Sequence, residues 1–255
     1  MKTDFIAAEI RDELGIVTLN NPNTFNSINE KMLKELDQQL MEYDQTEKVK
    51  VIVLKGLEQS FAAGLDVKDL AENLNDAVNI IQNMQYYFQT IQSIQKPLIA
   101  AVSGFALGIG CELALSCDII LATDQSRFGL PELSIGLLPC FGGCGLLSTQ
   151  IGKAKTMDII LSGRALSAEE AEQAGLISRV VTASALAEEY TKLARRLSAF
   201  PKKTVVTAKK IISSYCTQQS FSLENQLSLN QLDSEEFKQS LRRFAQKKPS
   251  ESEKA

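Results

Sequence analysis

The sequence predicts an α/β fold in which parallel strands alternate with helices through right-handed crossovers. Three observations in the first sixty residues carry that expectation. Phe5–Ile10 and Gly15–Leu19 are apolar-rich runs joined by the turn-like Arg-Asp-Glu-Leu, the pattern of a β-hairpin. Ser27-Ile-Asn-Glu30 has the spacing of a capping box, and Met32, Leu33, Leu36, Leu40 and Met41 then recur at helical intervals. Val49-Lys-Val-Ile-Val-Leu54 follows as a short apolar strand ended by Gly56.

The later elements continue the alternation. Leu70–Ile94 is helical in pattern but rich in Asn and Gln, and reads as a surface helix of loose sequence. Lys96-Pro-Leu-Ile-Ala-Ala-Val102 is a buried strand entered through proline, and Asp118-Ile-Ile-Leu-Ala-Thr123 is another. From Gly152 onward the periodicity is helical over Lys153–Ser162, Ser167–Ala174, Ala185–Ser198, Pro201–Ser214 and Glu235–Gln246, and Lys247–Ala255 is a polar tail. Residues 1–200 are expected to form an α/β core and 201–255 a helical C-terminal region with no flexible linker between them. No internal repeat is visible.

A chain of 255 residues is long enough to bury a sizeable core, and its 44% apolar and 23% charged residues are ordinary for a globular protein. The net charge of −4 and pI near 5.2 argue against nucleic acid as a partner. No run approaches the length of a membrane span, and no secretory leader is recognisable, so no membrane partner and a cytoplasmic location are expected. The chain contains no histidine. That removes Ser-His-Asp and Cys-His catalysis and histidine-ligated metal, and leaves proton transfer to Asp, Glu, Lys, Tyr or Cys. The five cysteines, four of them in apolar or glycine-rich settings, read as reduced core residues. Cys140-x3-Cys144 has the spacing of a metal half-site without a second pair, so no metal is expected.

Chemistry concentrates in Ala106-Leu-Gly-Ile-Gly-Cys-Glu-Leu-Ala-Leu-Ser-Cys-Asp118, where a carboxylate, Glu112, stands among small apolar residues. A carboxylate placed in dry packing is costly unless something pairs with it or uses it. Gly108 and Gly110 sit at a strand-to-helix turn, where glycine lets the backbone approach a ligand and the first helical N–H groups are free to face an anion. Phe61-Ala-Ala-Gly-Leu-Asp-Val-Lys-Asp-Leu70 offers the same device, with Asp66 and Asp69 in the first turn of the next helix. Two such turns at neighbouring parallel strands aim two N–H groups at one point if they converge, as an oxyanion hole does.

Lys96–Ile120 closely resembles the signature of the crotonase superfamily, that of enoyl-CoA hydratases and isomerases. Five further blocks match in the family's order: Leu19–Ile28, Phe61–Leu70, Arg127–Leu133, Gly136–Pro139 and Leu161–Leu176. The resemblance implies a crotonase (ClpP-like) spiral of ββα units, a C-terminal helical trimerisation region, and a homotrimer or homohexamer. It also implies an acyl-CoA thioester as substrate, with no separate cofactor. The thioester oxygen would be held by the backbone N–H groups of Leu65 and Ile109. Glu112 and Glu132 fall on the two positions that hydratases of the family occupy with glutamates. By resemblance Glu112 orients and activates a water while Glu132 delivers or relays a proton, which implies an enoyl-CoA hydratase. Ala63, Asp66, Lys68, Gly108 and Lys247 would line the substrate and CoA site.

Two departures bear on this expectation. Ile109 stands where the family commonly has glycine, and its side chain must find room beside the acyl group or in the core. After Pro139 the chain reads Cys140-Phe-Gly-Gly-Cys-Gly-Leu-Leu147, with a bulky Phe141 near the expected water and no polar pair at Cys144-Gly145. The competing readings are a Δ3,Δ2-enoyl-CoA isomerase, in which one glutamate moves a proton between C2 and C4, and a non-catalytic binding protein on the same fold. A nucleophilic-cysteine enzyme is weaker, because no histidine is present to activate Cys111, Cys140 or Cys144.

Overall fold

A computed structural model describes residues 5–216, 220–232 and 235–246. The chain opens with an antiparallel hairpin, β1 (Ile6–Arg11) and β2 (Leu14–Leu19), turned at Asp12, whose φ of 55° lies in the left-handed region. Helix α1 (Glu30–Gln45) follows. Its start is two residues later than the capping-box spacing predicts. Asn29 is the cap, accepting from the Met32 N–H at 2.9 Å, while the Ser27 hydroxyl donates to the Thr24 carbonyl.

Three strand pairs then repeat one plan. β3 (Val51–Lys55) leads to β4 (Ser60–Ala62), and helices α2 (Val67–Glu72) and α3 (Ala77–Gln92) return the chain. β5 (Leu98–Val102) leads to β6 (Phe105–Leu107) and the short α4 (Ile109–Leu115). β7 (Ile119–Thr123) leads to β8 (Arg127–Gly129), a 3-10 turn over Glu132–Ile135, α5 (Gly143–Ile151) and α6 (Lys153–Ser162). A last excursion is β9 (Leu166–Ser167), α7 (Ala168–Gln173), β10 (Arg179–Val181) and α8 (Leu186–Ser198).

The first strand of each pair enters a six-stranded sheet of order β1-β2-β3-β5-β7-β10, parallel from β2 onward; the second enters a four-stranded sheet of order β4-β6-β8-β9. This is the ββα spiral that the resemblance implies. The repeat is one of shape, which is why the sequence shows none.

The six-stranded sheet is covered on both faces, so its strands are continuous apolar runs rather than alternating ones. One face (Ile16, Val51, Val53, Ile99, Ala101, Leu121) packs against Tyr190 and Ala194 of α8. The other (Val17, Ile52, Leu54, Leu98, Ala100, Val102) meets α1, α3 and α4 in the main core. The segment 70–94 is not the single surface helix its composition suggests. It breaks at Asn73 into α2, a 3-10 turn and α3, and α3 buries Ile81, Met84, Phe88 and Ile91.

The C-terminal helices α9 (Lys202–Cys216), α10 (Ser220–Leu232) and α11 (Glu235–Gln246) pack on this body, with Leu232, Phe237 and Leu241 in the main core. Lys209 of α9 binds the Asp118 carboxylate at 2.7 Å and donates to the Lys96 carbonyl at 2.9 Å. Lys96 itself is buried, its ammonium donating to the Tyr43 and Thr46 carbonyls at the end of α1.

One buried charge has no such support. Asp37 on α1 is buried, and its Oδ1 accepts no hydrogen bond among the described residues. Burial raises its pKa to about 6. A carboxyl whose pKa is raised on folding holds its proton longer in the native state, so stability falls as pH rises from about 4 to 6 and stays lowered above that. Asp37→Asn is therefore expected to raise Tm at pH 7 by roughly 2–8 °C and to leave it nearly unchanged at pH 4. Thermal melts of both proteins across that range provide the check.

Candidate active site

The site forms where two chain turns leave the small sheet. β4 and β6 run parallel, with Ala62 opposite Ala106, and beyond them the backbone turns at Gly64 and Gly108. The N–H donors predicted for the ends of the large-sheet strands thus follow the second strand of each pair instead. Gly108 has φ +53° and Gly64 φ +118°, conformations in which side chains are rarely tolerated. The turns nearly touch: a Cβ placed on Gly108 would lie 3.6 Å from the Gly64 Cα.

Leu65 forms a parallel bridge with Ile28, in which the Ile28 N–H donates to the Gly64 carbonyl (2.7 Å) and the Asp66 N–H to the Ile28 carbonyl (2.9 Å). Backbone groups alternate sides along an extended chain, so the Leu65 N–H faces away from Ile28. Ile109 is the first residue of α4, and its N–H belongs to the first turn, which has no intrahelical acceptor. Its side chain, the departure from the family pattern, is 2% exposed and lies in the main core.

Glu112 lies one helical turn after Gly108, on a helix whose every residue is buried, and is itself 1% exposed. Its Oε1 accepts from the Phe141 N–H at 3.0 Å and the Gly143 N–H at 2.8 Å. Two backbone donors on one oxygen favour the ionised carboxylate and fix its rotamer. The Cys140–Gly143 segment, just before the Cys144-Gly145 pair where the sequence lacks polar side chains, supplies support through its backbone. The Phe141 ring turns into the core against Phe88, centroids 5.3 Å apart.

Glu132 begins the 3-10 turn after β8 and is half-buried rather than a free loop acid. Its Oε1 would be 2.9 Å from a Cβ on Gly108, so this carboxylate lies against the turn that precedes α4. Oε2 of Glu112 and Oε2 of Glu132 are both buried. Burial first, then the charges of Glu132 and Glu112, push the Cys111 thiol well above its ordinary range. Cys111 therefore stays protonated and is no nucleophile.

Of the other predicted site residues, Ala63 is half-buried on the same turn, and its N–H donates to the Phe25 carbonyl at 3.1 Å. Asp66 caps α2, accepting from the Asp69 N–H at 3.1 Å. Lys68 is exposed on the first turn of α2. Lys247 lies outside the described residues. Among the described residues, no group of three or more His, Cys, Asp or Glu is placed to hold a metal ion, and no helix is long and apolar enough to cross a membrane. Cys111, Cys117, Cys140 and Cys144 are reduced. Sequence reasoning missed the Phe141 and Gly143 N–H groups; the signal available was the glycine pair Gly142-Gly143 itself.

Two backbone turns and two buried carboxylates on a double-sheet spiral define an enzyme of the crotonase fold. The chain belongs to the enoyl-CoA hydratase/isomerase family, whose model matches residues 9–254. It is 39% identical over 213 residues to a probable enoyl-CoA hydratase of Rhizobium meliloti, covering 84% of this chain and 82% of that protein. A mitochondrial enoyl-CoA hydratase of Pongo abelii is 35% identical over 213 residues, 82% of this chain and 73% of that one. Among solved structures, an enoyl-CoA hydratase subunit of Geobacillus kaustophilus superposes with a TM-score of 0.79 at 33% identity, over 96% of this chain and 97% of that chain.

Proposed function

We propose that this protein is an enoyl-CoA hydratase, adding water across the C2=C3 bond of a 2-enoyl-CoA to give a 3-hydroxyacyl-CoA. One observation carries the reading: the half-buried Glu132 lies against the Gly108 turn, the buried Glu112 follows one helical turn later, and the intervening Ile109 N–H faces no helical acceptor. The acyl-CoA is the substrate, and the reaction needs no resident cofactor.

The chemistry follows from the charge that develops. As a water oxygen attacks C3, electrons move to the thioester oxygen, and the Leu65 and Ile109 N–H groups stabilise that enolate. Glu112, held in place by the Phe141 and Gly143 N–H groups, accepts the water's proton. Glu132 gives a proton to C2, and the oxygen lone pair returns to re-form the thioester carbonyl. Proton exchange from Glu112 to Glu132 through water resets the site. Ala63 and Gly108 line the thioester end, while Asp66, Lys68 and Lys247 serve the CoA moiety, the lysines as partners for its phosphates.

Residues 1–200 act as the spiral core and 201–255 as the helical region through which copies associate as a trimer or hexamer. Ile211 and Ile212 of α9, 54% and 67% exposed, are apolar surface available for that association. Reduced cysteines suit a cytoplasmic enzyme.

The test is spectroscopic. Adding the protein to 2-butenoyl-CoA is expected to remove the conjugated thioester absorbance at a rate proportional to enzyme. Absorbance gained from a 3-enoyl-CoA, with none lost from the 2-enoyl-CoA, would replace hydration by isomerisation. No change in either would remove the enzymatic reading.

A further inference from the structure

Helix α3 carries one buried polar side chain that the reaction as derived does not use. Gln85 is 7% exposed on the same face as Met84, Phe88 and Ile91, and its Nε2 donates to the Cys140 carbonyl at 2.9 Å. That carbonyl and the Phe141 N–H are two ends of one peptide unit. The N–H end donates to Oε1 of Glu112. The result is a continuous chain: Gln85 amide, Cys140–Phe141 peptide, Glu112 carboxylate. Only the amide nitrogen can donate to a carbonyl, so the orientation of the Gln85 amide follows from the acceptor.

We infer that Gln85 is a positioning residue for hydration, acting on Glu112 through the Cys140–Phe141 peptide. The inference rests on the hydratase reading above. Donation to a peptide carbonyl draws electron density from the amide nitrogen and strengthens what its N–H gives, by about 10–30% per linked bond. A planar peptide also transmits direction, because fixing the C=O fixes the N–H on the opposite side. Three residues along α3, the Phe88 ring packs on the Phe141 ring. Helix α3 therefore grips this peptide twice, by a hydrogen bond at Cys140 and by packing at Phe141. The Phe88 contact supplies rigidity alone, whereas Gln85 also polarises the donor to Glu112.

The two roles separate experimentally. Gln85→Met keeps the length and removes the donor. It is expected to lower kcat roughly 3- to 10-fold with KM within twofold, and to move the acid limb of kcat/KM up by about half a pH unit, because the ionised form of Glu112 loses support. Among the described residues, the charges of Glu112 and Glu132 both act on Cys111 of α4, whose thiol stays neutral, and Cys140 and Cys144 flank the donor segment. The limb therefore reports the carboxylates. Phe88→Leu is expected to lower stability without moving the limb. An unmoved limb in folded Gln85→Met overturns the inference.

If Gln85→Met does not fold, Gln85→Glu decides. Its protonated carboxyl donates to Cys140 and its ionised form cannot, so activity is expected to fall with rising pH through an ionisation absent from the parent. A parental profile overturns the inference. A readout independent of turnover is the Glu112 carboxyl itself, followed by 13C NMR of protein labelled at glutamate and assigned by its absence in Glu112→Gln. An upward shift of its titration in Gln85→Met supports the relay even if the substrate reading fails, and no shift overturns the relay even if hydration stands.

Discussion

Glu132→Gln is expected to reduce hydration by about 10²–10⁴-fold while acyl-CoA binding changes less than threefold. The amide is isosteric, so the contact that places Oε1 of Glu132 against the Gly108 turn survives. What disappears is the proton for C2. Binding draws on the CoA moiety and the Leu65 and Ile109 donors, none of which the substitution touches. Steady-state rates on 2-butenoyl-CoA, together with calorimetric titration of a saturated acyl-CoA, separate the two effects. Glu112→Gln is expected to lose activity on the same scale, and the double variant to be little worse than either single one, because residues acting on one transfer do not contribute additively. Turnover at the parental rate in Glu132→Gln would remove that residue from the reaction.

Legibility of the sequence tracked the length of each element. The hairpin, β5, β7, α6 and α8 carry five or more residues of pattern, and their predicted spans lie within two residues of the observed ones. The small sheet was invisible. Its strands are two or three residues long, too short for any alternation to show, yet they carry both turns of the site. Helix α5 was missed because it begins at Gly143, and α10 because Ser220–Leu232 is polar with almost no preferred face.

In the site, the glutamates and the two glycine turns could be read from sequence because side-chain identity marks them. The donors to Glu112 could not, being backbone groups of a segment just before the Cys144-Gly145 pair, where the sequence lacks polar side chains. Gln85 was hidden for a related reason. An Asn- and Gln-rich composition reads as a solvated face, and nothing in it distinguishes the one amide that points inward to a buried carbonyl.

Gly143→Ala is expected to be nearly as damaging as loss of a carboxylate, and for a steric reason. A Cβ at this position would stand 2.7 Å from Oε1 and 2.9 Å from Cγ of Glu112, and 2.9 Å from Cδ1 of Leu130. None of these can be relieved by swinging a free side-chain end. Oε1 is the atom held by the Phe141 and Gly143 N–H groups, so any retreat of the carboxylate breaks the bonds that fix it. A displacement near 1 Å at a reacting group costs on the order of 10²-fold in rate, and overpacking of this kind about 1–3 kcal/mol in stability.

The prediction is thus a kcat about 10²-fold lower with KM nearly unchanged and a lowered Tm. Gly152→Ala supplies the control. Gly152 has φ +78° with open space around its Cβ position, so it pays only the left-handed strain of roughly 1–2 kcal/mol and should keep the parental kcat. Gly143 has no such positive φ. Its glycine answers to the nearness of the carboxylate and not to backbone freedom, and a parental kcat in Gly143→Ala would show that the two N–H groups do not hold Glu112 in its working position.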